Sequence, residues 1–565
     1  MVLSQYMWQC ALAPLLLSWV ALASPAPSRY VPTAKTINGT YYGVYNRAYN
    51  QDLFLGMPYA QPPVGDLRFR VPQSLNTTWK GSRNATEYSR QCIGYGSDTW
   101  VLGNYVSEDC LTINVIRPSG TTKGDKLPVA LWIHGGSLTN GGGSDPRYNL
   151  SFIVEQSVKM GTPMVAASIN YRLHGWGFLH SADLAAEGST NLGFRDQRLA
   201  LHWLNENIAQ FGGNPRHVTI WGESAGARSV GAQLVAYGGR NDGLFHGAVL
   251  ESGSSLPGIL KPATAQSWSP YYTALLAATN CASASDSVAC LRRVPTAELS
   301  SIFNSSFATV PGWGQVVDDD FFIAPGDALL KAGKFVKVPL MLGTNFDEGT
   351  AYASTGIDTS EQFLSLVKAG GVGADLAQKV AELYPDEPDL GIPATFEGRP
   401  EGSLASYGAQ WKRVAAYRGD AVQHGARRLT AQSWAENKAP VWSYHWNVLV
   451  NGIKPIIGAT HFQEVVFVFN NIQANGYNTV VSTNPFTGKP KTFVQLANLM
   501  SRMWVSFITQ GNPNYHRAGS ITWPQYDVKS PKNLVFDVNT TQLAYGEPDT
   551  YREEEIAFII DNLYS

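Results

Sequence analysis

Five residues, Gly222-Glu223-Ser224-Ala225-Gly226, carry the strongest chemical signal in the chain. They follow an apolar, β-branched run, Val218-Thr219-Ile220-Trp221, and precede a helix-like run from Ala225 to Ala236. A serine between two glycines at a strand-to-helix turn is held in strained backbone geometry, with its hydroxyl standing clear of the sheet. The glycines are small because strand and helix approach too closely there for side chains. The helix N-terminus adds free amide N–H groups beside the hydroxyl. The five-residue pattern alone is loose in a chain with 54 glycines, and its strand–turn–helix setting is what separates it from a chance match. Ser224 is the candidate nucleophile.

A serine hydroxyl is a poor nucleophile at neutral pH; it needs a base, and the base needs an orienting acid. The histidines downstream are His246, His424, His445, His461 and His516. His461 lies in a small-residue loop, Gly458-Ala459-Thr460-His461, before the apolar run Val465 to Phe469, which suits an exposed imidazole. A satisfied surface histidine is the plainer reading of any one of them. The acid lies in Gly343-Thr344-Asn345-Phe346-Asp347-Glu348, just past the apolar run Val338 to Leu342. Both Glu348 and Asp347 stand at the end of a buried strand, and the residues alone do not choose between them. His134-Gly135-Gly136-Ser137 follows the apolar run Val129 to Ile133. Its backbone amides, with that of Ala225, could donate to a tetrahedral oxyanion; losing one such donor typically costs about 3–4 kcal/mol of barrier. An ordinary glycine turn is the bland alternative.

Positioning these groups requires a rigid frame. Val129–Ile133, Met164–Ile169, Val218–Trp221, Gly247–Leu250 and Val338–Leu342 are near-continuous apolar runs separated by helical stretches. That pattern implies an α/β fold with a central, mostly parallel sheet covered by helices on both faces. A helical apolar pattern runs from Gln197 to Phe211 and is ended by Gly212-Gly213-Asn214-Pro215. Functional residues are expected at the carboxyl ends of the strands. No repeat, low-complexity tract or linker is evident.

With 42 basic and 44 acidic residues the charge is nearly balanced, and no basic stripe marks a nucleic-acid binder. Hydrophobic content of 44% excludes a disordered chain. Ala11 to Val20 is a short apolar run, and Ala21-Leu22-Ala23 fits a cleavage site, although residues 1–10 lack the usual basic residues. The reading is a secretory leader over 1–23 and a single domain over 24–565, with no later membrane anchor. Cys10 leaves with the leader; Cys92, Cys110, Cys281 and Cys290 remain. Sequence proximity favours Cys92–Cys110 and Cys281–Cys290 over a zinc site, whose spacing is absent. Asn38, Asn76, Asn84, Asn149, Asn304 and Asn539 are glycosylation sequons, expected on surface loops of an exported chain.

Taken together, these residues resemble the type-B carboxylesterase/lipase family of α/β-hydrolases, which includes cholinesterases. The likeness covers nearly the whole mature chain. Gly56 to Gly65 with Leu67-Arg68-Phe69, Ser107 to Leu111, Asn191 to Gln197, Phe211 to Pro215, the serine turn, Gly511-Asn512-Pro513 and Trp523-Pro524 occur in family order. The resemblance implies that Glu348 rather than Asp347 is the acid, that His461 is the base, and that Gly136, Ser137 and Ala225 supply the oxyanion donors. It implies the same disulfide pairing, and structural ion pairs Arg68 with Glu108 and Arg172 with Asp196. It implies a secreted hydrolase of small-molecule esters with no metal or organic cofactor. The chain departs in two places: Ser137 stands where the family has a third glycine, and a third disulfide typical of cholinesterases has no cysteines here. Trp100 sits where cholinesterases carry an aromatic that holds choline, although a loop-core role is the simpler reading. Trp313, Phe321 and Phe322 are expected as pocket walls. The loop Ile93 to Asp109 is not strongly apolar, which favours soluble esters over the lipase alternative. A catalytically dead, cholinesterase-like binding protein is the rival from another class; it would be expected to lack one of the three residues.

Overall fold

The computed structural model describes residues 30–97, 103, 105–256, 263–479 and 482–564. The leader-like segment 1–23 and Trp100 therefore lie outside the described residues. Eleven strands form one sheet: β1 (Val44–Asn46), β2 (Gln51–Pro58), β3 (Thr112–Pro118), β4 (Leu127–Ile133), β5 (Val165–Ile169), β6 (Gly213–Glu223), β7 (Gly247–Glu251), β8 (Leu340–Asn345), β9 (Val441–Trp446), β10 (Lys532–Phe536) and β11 (Ala544–Pro548). Their spatial order is β11-β10-β9-β8-β7-β6-β4-β5-β3-β2-β1. The strands from β5 across to β10 are parallel neighbours, and the outer pairings are antiparallel. The mostly parallel sheet read from the apolar runs is thus present, with antiparallel margins.

The central strands are apolar throughout because both faces are covered. Along β4, Leu131 and Ile133 enter one core cluster while Ala130 and Trp132 enter another on the opposite face. On that second face Trp132 packs at 4.6 Å from Trp221, and Trp221 stacks at 4.6 Å on Phe469. A third cluster gathers around the Cys281–Cys290 bridge. The helix read from Gln197 onward starts earlier: α1 spans Leu192–Asn207, followed by a 3₁₀ turn, Ile208–Phe211, that ends at Gly212 with φ 85°. Its first turn is secured by Phe194 in the core and by Asp196, which accepts from Arg172. Periodicity alone does not reveal that anchor.

Register brings the strand ends level. Gly222 pairs with Leu250 and with Ile133, and Glu251 pairs with both Glu223 and Gly343. The segments after β4, β6, β7 and β8 therefore emerge side by side at the carboxyl edge, where open parallel sheets hold their ligands. Both disulfides, Cys92–Cys110 and Cys281–Cys290, are formed. So are the two buried ion pairs: Arg68 to Glu108 and Arg172 to Asp196. Among the described residues no helix is long and apolar enough to cross a membrane.

Candidate active site

β6 ends at Glu223, and helix α2 (Ala225–Val235) begins one residue after Ser224. Ser224 has φ 56° and ψ −123°, outside the helical and strand regions, and is partly exposed while its neighbours are buried. Two observations hold it there. Its amide donates to the Glu251 carbonyl at 2.8 Å, and its carbonyl accepts from the Arg228 amide at 2.9 Å. The flanking glycines are obligatory: a Cβ on Gly222 would lie 2.5 Å from the Gly226 backbone, and one on Gly226 would lie 2.0 Å from the Ile133 carbonyl. Positions with such contacts admit only glycine without a backbone shift.

Glu348 sits in the short turn after β8 and is fully buried. Its Oε2 lies 2.7 Å from His461 Nδ1. Its Oε1 accepts from the Asn345 amide at 2.8 Å and from the Ser252 hydroxyl at 2.5 Å. Both oxygens are thus oriented. Asp347 faces elsewhere: its Oδ2 accepts from the Ala459 amide at 2.7 Å and shapes the loop that carries His461. Of the two adjacent acids, Glu348 is the one brought to the imidazole. In the neutral imidazole, with a carboxylate oxygen as the partner of Nδ1, that nitrogen donates and Nε2 is left as the acceptor. Nε2 points to the serine turn, 3.2 Å from Oε1 of Glu223, the residue before Ser224. The imidazole keeps 15% exposure. The ring of Tyr352 lies 5.3 Å away.

The loop after β4 lies against the serine. A Cβ on Gly135 would come within 3.2 Å of Ser224 Cβ. Gly136, Ser137 and Leu138 all have positive φ, 99°, 57° and 61°. Left-handed backbone at two consecutive non-glycine residues is a strain characteristic of functional sites. The turn is held from behind by Thr139 and Asn140 amides on the Gly136 carbonyl and by His134, whose carbonyl accepts from Tyr171. Among the described residues the Gly136 and Ser137 amides donate to no acceptor. Ala225, as the first helical residue, has no intrahelical acceptor for its own amide. Three free N–H groups thus belong to segments that border Ser224.

Sequence reasoning missed the acidic surroundings. Glu223, Glu251, Glu348 and Glu464 are all buried around the site. Glu251 accepts from the indole N–H groups of Trp221 and Trp504, and Glu464 from the Asn345 amide group. Burial pushes Glu223 and Glu251 well above the usual carboxylate range, and burial with the Glu348 charge lifts Glu464 to about 7. Burial disfavours a charged His461, but Glu223 and Glu348 outweigh it and raise the imidazole to about 9. A base works only when neutral; Glu223, itself drawn toward its neutral form by burial, raises the imidazole to the extent that it is ionised, so the proton these two groups contest governs the acid limb of kcat/KM. Glu223→Gln removes the largest upward influence. The imidazole then loses its proton at lower pH, and the acid limb of kcat/KM is expected to move down by about one unit or more. An unmoved limb in a folded variant would show that Glu223 carries no charge near His461. The only advance signal of this cluster was positional: Glu223 and Glu251 both close a central strand.

Other expected site residues are placed differently. Phe321 and Phe322 are 0% and 1% exposed and pack on Phe194, at 6.4 and 5.6 Å. They belong to the core, which corrects their reading as pocket walls; their apolar bulk finds more contact there than in a cleft. Trp313 is half-buried, 4.1 Å from the His174 ring. The His174 amide donates to the Leu138 carbonyl, so Trp313 stands behind the glycine loop. The sequons also divide. Asn38 is buried with its amide group donating to the Thr77 carbonyl, so it is not the surface position expected. Asn76, Asn84, Asn304 and Asn539 are exposed, and Asn149 is half-buried.

A central parallel sheet, a strained serine on a strand-to-helix turn, and an acid and a histidine following in that chain order define an α/β-hydrolase. The chain belongs to the carboxylesterase family, whose sequence model matches residues 27–559, and it is a carboxylic ester hydrolase. It is 32% identical to "Lipase 2" of Geotrichum candidum over 561 residues, covering 91% of this chain and 93% of that one. It is 32% identical to "Secreted lipase 1" of Botryotinia fuckeliana over 548 residues, covering 89% and 88%. The crystal structure of Aspergillus niger EstA superposes with a TM-score of 0.79 at 30% identity, over 94% of this chain and 98% of that one.

Proposed function

We propose that the protein hydrolyses small carboxylic esters through an acyl-enzyme on Ser224, with His461 as base and Glu348 as its orienting acid. The observation that carries this reading is the 2.7 Å contact between His461 Nδ1 and a fully buried, doubly anchored Glu348, with Nε2 turned to the serine turn. The ester carbonyl oxygen lies against the amides of Gly136, Ser137 and Ala225. Ser224 attacks as its proton passes to His461 Nε2. Glu348 stabilises the imidazolium without itself taking the proton. His461 protonates the departing alcohol, then draws a proton from water, which attacks the acyl carbonyl and frees Ser224. The fixed amides serve both tetrahedral intermediates, because they need no rearrangement as charge develops.

The domain is proposed to run as one unit over 24–565 after removal of a leader. A secreted relative, two disulfides and exposed sequons support export and glycosylation at Asn76, Asn84, Asn304 and Asn539. Both relatives described above, and further ones from Diutina rugosa and Gibberella zeae, are named lipases, so long-chain acylglycerols are the competing substrates. Initial rates on a dissolved short-chain p-nitrophenyl ester and on emulsified long-chain triglyceride decide between them. The expected result is faster turnover of the dissolved ester, with a burst of p-nitrophenol. Higher activity on the emulsion would make the protein a lipase.

A further inference from the structure

The backbone of Phe462, the residue after His461, is left-handed, with φ 74°. Glycine takes that region freely; a side chain as large as phenylalanine stays there only where its surroundings enforce it. Those surroundings include Arg147 and Tyr148. The guanidinium carbon of Arg147 lies 4.8 Å from the centre of the Phe462 ring, within the range of a cation–π contact. The Tyr148 ring meets Phe462 edge-on at 6.4 Å. Two successive residues of a distant segment thus touch the ring beside the base.

That segment is itself anchored. Arg147 Nη2 donates to Asp145 Oδ2 at 2.6 Å, and Nε lies 2.9 and 3.1 Å from the two carboxylate oxygens. The Arg147 amide also donates to Asp145, at 2.9 Å, so one carboxylate fixes both backbone and side chain. The pair is nearly dry, with 15% of the Arg147 side chain and 1% of the Asp145 side chain exposed. The stem is confined as well: a Cβ on Gly476 would come within 2.9 Å of Arg147 Cγ. The Asn471 amide group donates to the Arg147 carbonyl at 3.4 Å. The anchored segment continues directly from the loop after β4 that carries Gly136 and Ser137.

The flanks of His461 are held on both sides. Asp347 accepts from the Ala459 amide, and Asn345 donates to Glu464. With both flanks fixed, a change of φ at Phe462 must be taken up at His461. We propose that Arg147 is a positioning residue for the base: anchored on Asp145, it clamps the Phe462 ring, holds the left-handed backbone after His461 and so keeps Nε2 aimed at the serine turn. The loop that supplies the oxyanion donors thereby also sets the base. This rests on the acyl-enzyme reading, with His461 as the base.

The test uses glycine at position 462, which takes positive φ without strain and so needs no clamp. kcat and KM for a dissolved short-chain p-nitrophenyl ester are measured for the native enzyme, Arg147→Ala, Phe462→Gly and the double variant. Arg147→Ala is expected to lower kcat by ~10–100-fold with KM changed by less than about threefold, as for a misplaced catalytic group. In the Phe462→Gly background the same substitution is expected to lower kcat by about twofold or less, because the two residues act as one unit. Leaving Asp145 buried without its partner also costs stability, which thermal unfolding reads separately. That cost is the same in either background, so it does not produce the difference. Arg147→Lys keeps a charge on Asp145 without the planar face, and serves if the alanine variant does not fold. It is expected to lose ~3–10-fold in kcat in the native background and about twofold or less in the glycine background. Unchanged kcat in a folded Arg147 variant, or equal losses in the two backgrounds, would overturn the proposal. The acyl-enzyme reading fails by a different result, retention of turnover in Ser224→Ala.

Discussion

Ser224→Ala is expected to lower kcat for a dissolved short-chain ester by roughly 10⁴–10⁶, with little change in fold or stability. The size follows from the number of roles that pass through one oxygen. Without Oγ no acyl-enzyme forms, His461 has no nucleophile to activate, and only bound water remains to attack. The remaining rate reflects the Gly136, Ser137 and Ala225 amides, which still polarise the carbonyl. Stability should hold because Ser224 owes its position to backbone bonds with Glu251 and Arg228, not to its hydroxyl. Circular dichroism and thermal unfolding check the fold, and stopped assays with concentrated variant check the rate. Near-normal turnover would remove Ser224 from the reaction.

Glu348→Gln is expected to cost about 10³–10⁴ in kcat, by comparison with loss of the acid in other triads. The substitution keeps the volume of a fully buried side chain. It removes the charge that steadies the imidazolium and can present an N–H to Nδ1, selecting the tautomer whose Nε2 bears a proton. Asp347→Asn supplies the contrast. Its carboxylate accepts from the Ala459 amide and shapes the loop before His461, so its loss perturbs placement and not charge at Nδ1. A decrease of about tenfold or less is expected there. Equal losses in both variants would mean that the adjacent acids act through the same loop, and the role of Glu348 would have to be reassigned.

The parts of this arrangement that were legible in the sequence are those written in local pattern. Ser224 was readable because strand, glycine turn and helix follow one another within a few residues. The central strands were readable because burial on both faces leaves continuous apolar runs. The choice between Asp347 and Glu348 was not readable from the residues, since neighbours one position apart share composition and context. It took likeness to relatives to favour Glu348, and the turn after β8 sends the two side chains to different partners. Phe321 and Phe322 were misjudged because an aromatic pair suits a pocket wall as well as a core, and only packing on Phe194 distinguishes them. The acidic shell was illegible for a deeper reason. Glu223, Glu251 and Glu464 acquire their perturbed protonation from burial beside one another, which is a property of the assembled sheet edge. Asn38 shows the converse limit, a sequon whose local sequence says surface and whose packing against Thr77 says otherwise.

The most direct test of the central claim is covalent. The enzyme is treated with a p-nitrophenyl alkylphosphonate, whose phosphorus mimics the tetrahedral carbon, and is then digested and mapped by mass spectrometry. The expected result is one equivalent of p-nitrophenol released, one phosphonyl group on the peptide containing Ser224, parallel loss of ester turnover, and no labelling of Ser224→Ala. Inactivation with the label on another residue, or full labelling of Ser224 with turnover intact, would contradict the account.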